Sequence, residues 1–174
     1  EAMTRPRSCL YDQVLAKGSV AKDKFGLARG ISGGFAIVFK IKDTGGKSWA
    51  VRVFHRDSLE RNRRYEIITR KLVSLRELPY FIPFQYQENG ILISGETFPI
   101  VKMEWLEGGM DMNSFITSHL HDPVALQNLR ISLMRMHLDL TRHGVAHGDI
   151  QPANLRVYDF GQKLRLLDYD EVEF

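Results

Sequence analysis

His147-Gly148-Asp149-Ile150-Gln151-Pro152-Ala153-Asn154 places a carboxylate and a carboxamide five residues apart. The stretch follows a long helical pattern and reads as a loop, where binding and catalytic side chains are disproportionately found. Such a pair offers oxygen ligands for a hard cation and an acceptor for a proton. Two further aspartates follow: Asp159 in Asp159-Phe160-Gly161, and Asp168 behind the apolar run Leu164-Arg165-Leu166-Leu167. Upstream, Gly33 and Gly34 allow the backbone to approach a phosphate closely, and Arg52 ends the run Trp49-Ala50-Val51-Arg52. The histidines carry less. His119 with His121, and His143 with His147, resemble metal-ligand spacings, but the cysteine and glutamate partners of a zinc site are missing.

The elements that must position these groups change in type along the chain. Residues 25–31, 35–42 and 48–54 are β-rich runs separated by Ser32-Gly33-Gly34 and Asp43-Thr44-Gly45-Gly46-Lys47, which predicts three antiparallel strands. Asp57 or Ser58 then caps a helix, with Glu60 completing a capping box and Leu59, Ile67, Ile68, Leu72 and Leu75 as the apolar face. Residues 81–87, the turn Glu88-Asn89-Gly90, residues 91–94 and residues 98–105 read as two more strands with a hairpin between their halves. After Glu107-Gly108-Gly109 the pattern becomes helical. A short helix near residues 112–118 precedes a long one capped by Asp122, with Pro123 in its first turn. Its buried stripe is Leu126, Leu129, Leu133, Met136 or His137, and Leu140, and Gly144 stops it. Residues 155–158 and 163–167 form a closing hairpin that leads into Asp168. Residues 1–24 carry a short apolar pattern at Leu10, Val14 and Leu15, which predicts one amphipathic helix packed on the main domain.

Bulk properties narrow the function classes. With 44% hydrophobic and 26% charged residues, the 174-residue chain can bury a sizeable core. A net charge of +3 with a pI near 9.0 is only mildly basic, which argues against a nucleic-acid partner. No apolar run is long enough to span a bilayer, no signal-peptide pattern is present, and the single Cys9 cannot form an internal disulfide. A cytoplasmic protein without a membrane partner is expected.

His147-Gly148-Asp149 with Asn154 resembles the catalytic loop H-x-D-x-x-x-x-N of the protein kinase-like superfamily. The resemblance implies that Asp149 accepts the proton of a substrate hydroxyl and that Asn154 helps hold magnesium. It also demands a second metal-binding aspartate after a strand pair. Asp159 lies five residues after Asn154, too close for an intervening hairpin, whereas Asp168 lies fourteen after it; the metal role is therefore assigned to Asp168, with Tyr169 in the aromatic position of Asp-Phe-Gly. Trp49-Ala50-Val51-Arg52 resembles the strand motif V-A-I-K, fourteen residues beyond Val38, with Arg52 as the phosphate-binding cation and Glu66, or second Glu60, orienting it. The stretch from Ile31 to Val38 resembles the glycine-rich loop, Gly33 and Gly34 contacting phosphates. Residues 101–109 resemble the hinge: Met103 is the gatekeeper, the backbone of Glu104 and Leu106 bonds the adenine, and Val38 and Ala50 wall it.

This resemblance covers about residues 25–170 and implies a bilobal α+β fold: a five-stranded antiparallel N lobe with one helix and the hinge over residues 25–107, and an incomplete helical C lobe over 108–174, after an N-terminal extension of residues 1–24. It implies ATP and magnesium as cofactors and γ-phosphoryl transfer to a Ser/Thr hydroxyl of a protein. Departures keep alternatives open. Arg52 and Gln151 stand where the family has lysines, and Gly148 stands for an arginine that senses activation-loop phosphorylation. A pseudokinase acting as a nucleotide-binding or regulatory module, and a small-molecule kinase of the aminoglycoside or choline type, fit the same residues. Arginine on that strand, with the tail Asp168-Tyr169-Asp170-Glu171-Val172-Glu173-Phe174, is similar to a bacterial group of kinase-like proteins.

Overall fold

Side-chain alternation decides how the first strands stack. In a computed structural model, which describes every residue except 1, 34, 35, 56–58 and 76 and every side chain except also those of 59, 61 and 74, the chain is α+β. It divides into two compact units, residues 1–66 with 83–105 and residues 67–82 with 106–174.

The first unit is an antiparallel sheet of β1 (Ser19–Val20), β2 (Gly30–Ser32), β3 (Ala36–Lys42), β4 (Ser48–Phe54), β5 (Phe84–Ile93) and β6 (Glu96–Glu104), in the order β1-β3-β4-β6-β5 with β2 also on β3. The two-residue β1 joins the five expected strands. Both faces of the sheet are covered, because the strands present apolar residues to both sides. Ile41, Val51 and Ile100 on one face are buried under Met3, Leu10 and Leu15. Ala36, Phe54 and Val101 on the other meet Tyr65 of α3 (Leu59–Ser74), whose ring packs against Phe54, Phe84 and Tyr86.

Several expectations fail for local reasons. Residues 25–29 are not strand: Asp23 Oδ1 accepts the N–H groups of Phe25 and Leu27 and Gly26 adopts φ +78°, so an Asx-type turn replaces extended chain. The hairpin turn is Ser94-Gly95, both at positive φ, and Glu88-Asn89-Gly90 instead lies within β5 at a bulge between Gln87 and Ile91. The single N-terminal helix is two one-turn helices, α1 (Pro6–Cys9) and α2 (Gln13–Ala16), split because Leu10 is extended and Asp12 starts a new cap. Val14 is exposed there. On α3, Tyr65 takes the central buried position, while Ile67 faces solvent; the Asp57 or Ser58 cap lies outside the described residues.

The second unit holds β7 (Met110–Asp111), α4 (Met112–Ser118), α5 (Pro123–Arg142), β8 (Leu155–Tyr158) and β9 (Lys163–Leu166), with β7-β8-β9 forming a three-stranded sheet. Asp111 caps α4, and Asp122 caps α5 by accepting from Val124 and Ala125. On α5, Ala125, Leu129, Met136 and Leu140 are buried and Leu126 and Leu133 half-buried, so the stripe is rotated slightly from the expected one.

Candidate functional site

In the first unit, strand register gathers the groups expected around a nucleotide. Val38, Arg52 and Val101 lie opposite one another across β3, β4 and β6, and Ala50 lies opposite Met103. Paired residues share a face, as do residues two apart on a strand, so Val38, Ala50, Arg52 and Met103 form one continuous side of the sheet. All four are half-buried. Arg52 points its guanidinium at Tyr65 Oη, 3.5 Å away, and lies over the Phe54 ring at 5.5 Å. Glu66 is the next residue on α3 and is exposed; Glu60 pairs with Arg64 at 3.6 Å.

The hinge candidates are set by ladder geometry. Trp105 N–H donates to Ser48 O at 3.0 Å, so the backbone groups of Glu104 face the other edge of β6. There β5 starts only at Phe84, and Pro83 before it has no N–H to give. The Glu104 carbonyl is thereby left to a different donor, while its side chain takes Lys47 Nζ at 2.9 Å. Leu106 is half-buried and belongs to the second unit. Gly33 N–H donates to Ala36 O at 2.9 Å; Gly34 lies outside the described residues.

In the second unit, the loop after α5 is held from three sides. Ala146 exchanges both backbone hydrogen bonds with Glu173. Gly148 has φ +75°, and a Cβ there would stand 2.3 Å from Glu171 O, so no side chain fits at this position. His147 is 2% exposed, and burial lowers its pKa although Asp168 and Asp149 both pull it upward; the ring is neutral at pH 7. Neither ring nitrogen has a well-formed hydrogen bond among the described residues. Asp149 Oδ2 accepts from Asn154 Nδ2 at 2.7 Å and from Gln151 Nε2 at 3.0 Å.

The β8-β9 hairpin separates the two candidate metal aspartates. Leu167 N–H donates to Asn154 O at 2.8 Å, which puts Asp168 beside Asn154 at the open end. Asp159 sits past the closed end: the last ladder residue, Tyr158, is already four steps from Asn154, or about 13 Å at 3.3 Å per residue. It is exposed in the turn, where Asp159 and Phe160 both have positive φ. Tyr169 is 1% exposed; its hydroxyl accepts from Ile82 N–H at 2.7 Å and donates to Leu166 O at 3.1 Å, which fixes the residue following Asp168.

These donors suit magnesium. Asn154 spends its Nδ2 hydrogens on the Asp149 carboxylate and carbonyl, so its Oδ1 would be the atom offered to a cation, and Asp168 would add a carboxylate. Among the described residues no three His, Cys, Asp or Glu side chains cluster, so a cation here would draw its remaining ligands from phosphate and water.

Two groups escaped the sequence reading. Asp12 caps α2 through Oδ1 and takes Lys102 Nζ at 2.8 Å and Gln87 Nε2 at 2.7 Å on Oδ2, tying the N-terminal residues to β5 and β6. Burial opposes its charge, but Lys102, the Leu15 N–H and Gln87 outweigh it and hold its carboxyl below the usual range. Its position before Val14 and Leu15 was a readable cap signal; its partner ninety residues on was not. The second is the pair Arg156 and Arg165, visible in sequence only as charged positions alternating with Leu155, Val157, Leu164 and Leu166.

No family model matches the chain. It is 28% identical over 151 residues to the serine/threonine-protein kinase greatwall of Homo sapiens, an overlap of 84% of this chain and 16% of that protein. The corresponding proteins of Ailuropoda melanoleuca and Canis lupus familiaris match to the same extent. The chain thus spans about a sixth of the length of these relatives. The similarity supports a protein kinase-like chain. These three relatives are mammalian and lend nothing to the bacterial leaning of the strand and tail.

Proposed function

We propose that the chain is the ATP-binding and catalytic-loop portion of a protein kinase-like phosphotransferase that transfers a γ-phosphoryl group to a Ser or Thr hydroxyl of a protein. The observation that carries this reading is the hairpin register, which sets Asp168 next to Asn154 while Asn154 holds Asp149. Bound magnesium would neutralise charge on the phosphates during transfer. Asn154 and Asp168 would hold it. Asp149 would accept the hydroxyl proton, its carboxylate kept in place by the Asn154 and Gln151 amides. Arg52 would grip phosphate oxygens with Glu66 as its orienting carboxylate, and Gly33 and Gly34 would let the backbone approach them. Val38, Ala50 and Met103 would wall the adenine, with the backbone of Glu104 and Leu106 bonding its edge. The lobes would run over residues 25–107 and 108–174. A single buried thiol at Cys9 fits a reducing cytosol, and no helix among the described residues is long and apolar enough to cross a membrane.

A second reading, a pseudokinase that binds nucleotide as a regulatory module, is favoured by one observation: the cation beside Asp149 in the family is here the neutral Gln151, already spent on the carboxylate. Incubation with labelled ATP and magnesium, with Asp149→Ala as control, separates the two. Label on the protein or on a generic Ser/Thr substrate, lost in Asp149→Ala, supports the enzyme. Nucleotide binding without Asp149-dependent transfer supports the module, and transfer to choline or an aminoglycoside alone would move the reading to a small-molecule kinase.

A further inference from the structure

On the β8-β9 ladder the side chains divide into two faces. Leu155, Val157, Leu164 and Leu166 are buried on one; Arg156, Tyr158, Lys163 and Arg165 stand on the other. Register puts Arg156 directly opposite Arg165, and Tyr158 opposite Lys163. Like charges directly opposite in an antiparallel pair destabilise a sheet. Among the described residues one carboxylate, Asp111, offsets part of the clash. Among the described residues Arg156 makes no hydrogen bond and interacts with Asp111 only through its charge, Arg165 has only a 3.5 Å contact from Nη1 to the Leu164 carbonyl, and Lys163 is exposed. Asp111, opposite Arg156 on β7, is the one acidic residue in register with the pair, and its carboxylate is spent on Ser114 N–H and Oγ at 3.0 and 2.6 Å. Three cations thus face one engaged carboxylate.

Tyr158 adds a donor. Its hydroxyl is buried and finds no partner among the described residues. Register puts Tyr158, Arg156 and Arg165 on the same face; burial raises the Tyr158 pKa, and the two arginines pull it back down. Both arginines are half-buried, which limits the water that could screen them.

We propose that Arg156 and Arg165, with Tyr158 and Lys163 beside them, form an anion site for a phosphate-bearing ligand. Two guanidiniums at neighbouring ladder positions can grip the oxygens of one phosphate, which turns their repulsion into a shared attraction. Such a site needs only charge and register and is independent of phosphotransfer. Two sources would supply the same chemistry: the phosphates of a nucleotide, or a phosphorylated ligand that binds separately.

The test is thermal unfolding of the full chain with inorganic pyrophosphate in the presence of EDTA, so that no divalent cation contributes. Pyrophosphate should raise the wild-type Tm by roughly 3 °C or more at saturation. Arg165→Gln should raise the pyrophosphate-free Tm by roughly 1–2 °C by relieving repulsion, and should remove most of the pyrophosphate shift. Arg156→Lys, which keeps the charge, should retain part of that shift. An undiminished shift in Arg165→Gln, or none in wild type, overturns the proposal. ATP competing with pyrophosphate identifies the nucleotide as the source, and additive shifts identify a separate ligand. Asp168→Asn keeps the two ideas apart: it should abolish a magnesium-dependent ATP effect and leave the magnesium-free pyrophosphate shift intact.

Discussion

Gly148 and Tyr169 show how single residues hold the loop after α5. A Cβ at position 148 would stand 2.3 Å from the Glu171 carbonyl oxygen, and φ is +75°. Gly148→Ala should therefore destabilise the chain by roughly 2 kcal/mol or more, read as a lower urea midpoint, because left-handed strain and backbone overlap add. The kinase resemblance gives Gly148 only as standing for an arginine that senses activation-loop phosphorylation; the structure gives it a packing reason. Tyr169→Phe removes the acceptor of a buried Ile82 N–H and should cost about 1–3 kcal/mol by the same measurement. The aromatic position after Asp168 was legible in sequence, but the hydroxyl's backbone partners were not, since Ile82 lies 87 residues away.

At the scale of elements, β6 is held on one side by Asp12. Asp12 and Lys102 side chains are each 9% exposed, so Asp12→Ala would strand a buried ammonium and should destabilise by about 3 kcal/mol. The pH dependence has a definite sign. Asp12 has a depressed carboxyl in the folded state, so its contribution is complete above the ordinary carboxylate range near 4 and is lost as pH falls through the folded value. The Tm gap between wild type and Asp12→Asn should accordingly be full at neutral pH and shrink as pH falls below about 4 towards the lowered folded value. Helices α4 and α5 and the β8-β9 hairpin were readable because caps and periodicity are local: Asp122, Pro123, Gly144 and the alternation at 155–158 all speak within a few residues. Strand β2 and the 94–95 turn were misread because Asp23 and Ser94 impose backbone shapes that hydropathy does not reveal.

For the whole molecule, the α+β class and the antiparallel sheet followed from pattern, as did the place of the literal Asp159-Phe160-Gly161 in a hairpin turn. What pattern could not supply was long-range pairing: Asp12 with Lys102, and Tyr80 with Asp139 at 2.7 Å. The central claim is that this chain binds magnesium nucleotide through Asp168 at the open end of the hairpin. Thermal unfolding with ATP and magnesium in wild type, Asp168→Asn and Asp159→Asn tests it most directly. Stabilisation of wild type and Asp159→Asn, with loss in a folded Asp168→Asn, is the predicted result. Stabilisation that survives in Asp168→Asn and vanishes in Asp159→Asn would contradict it.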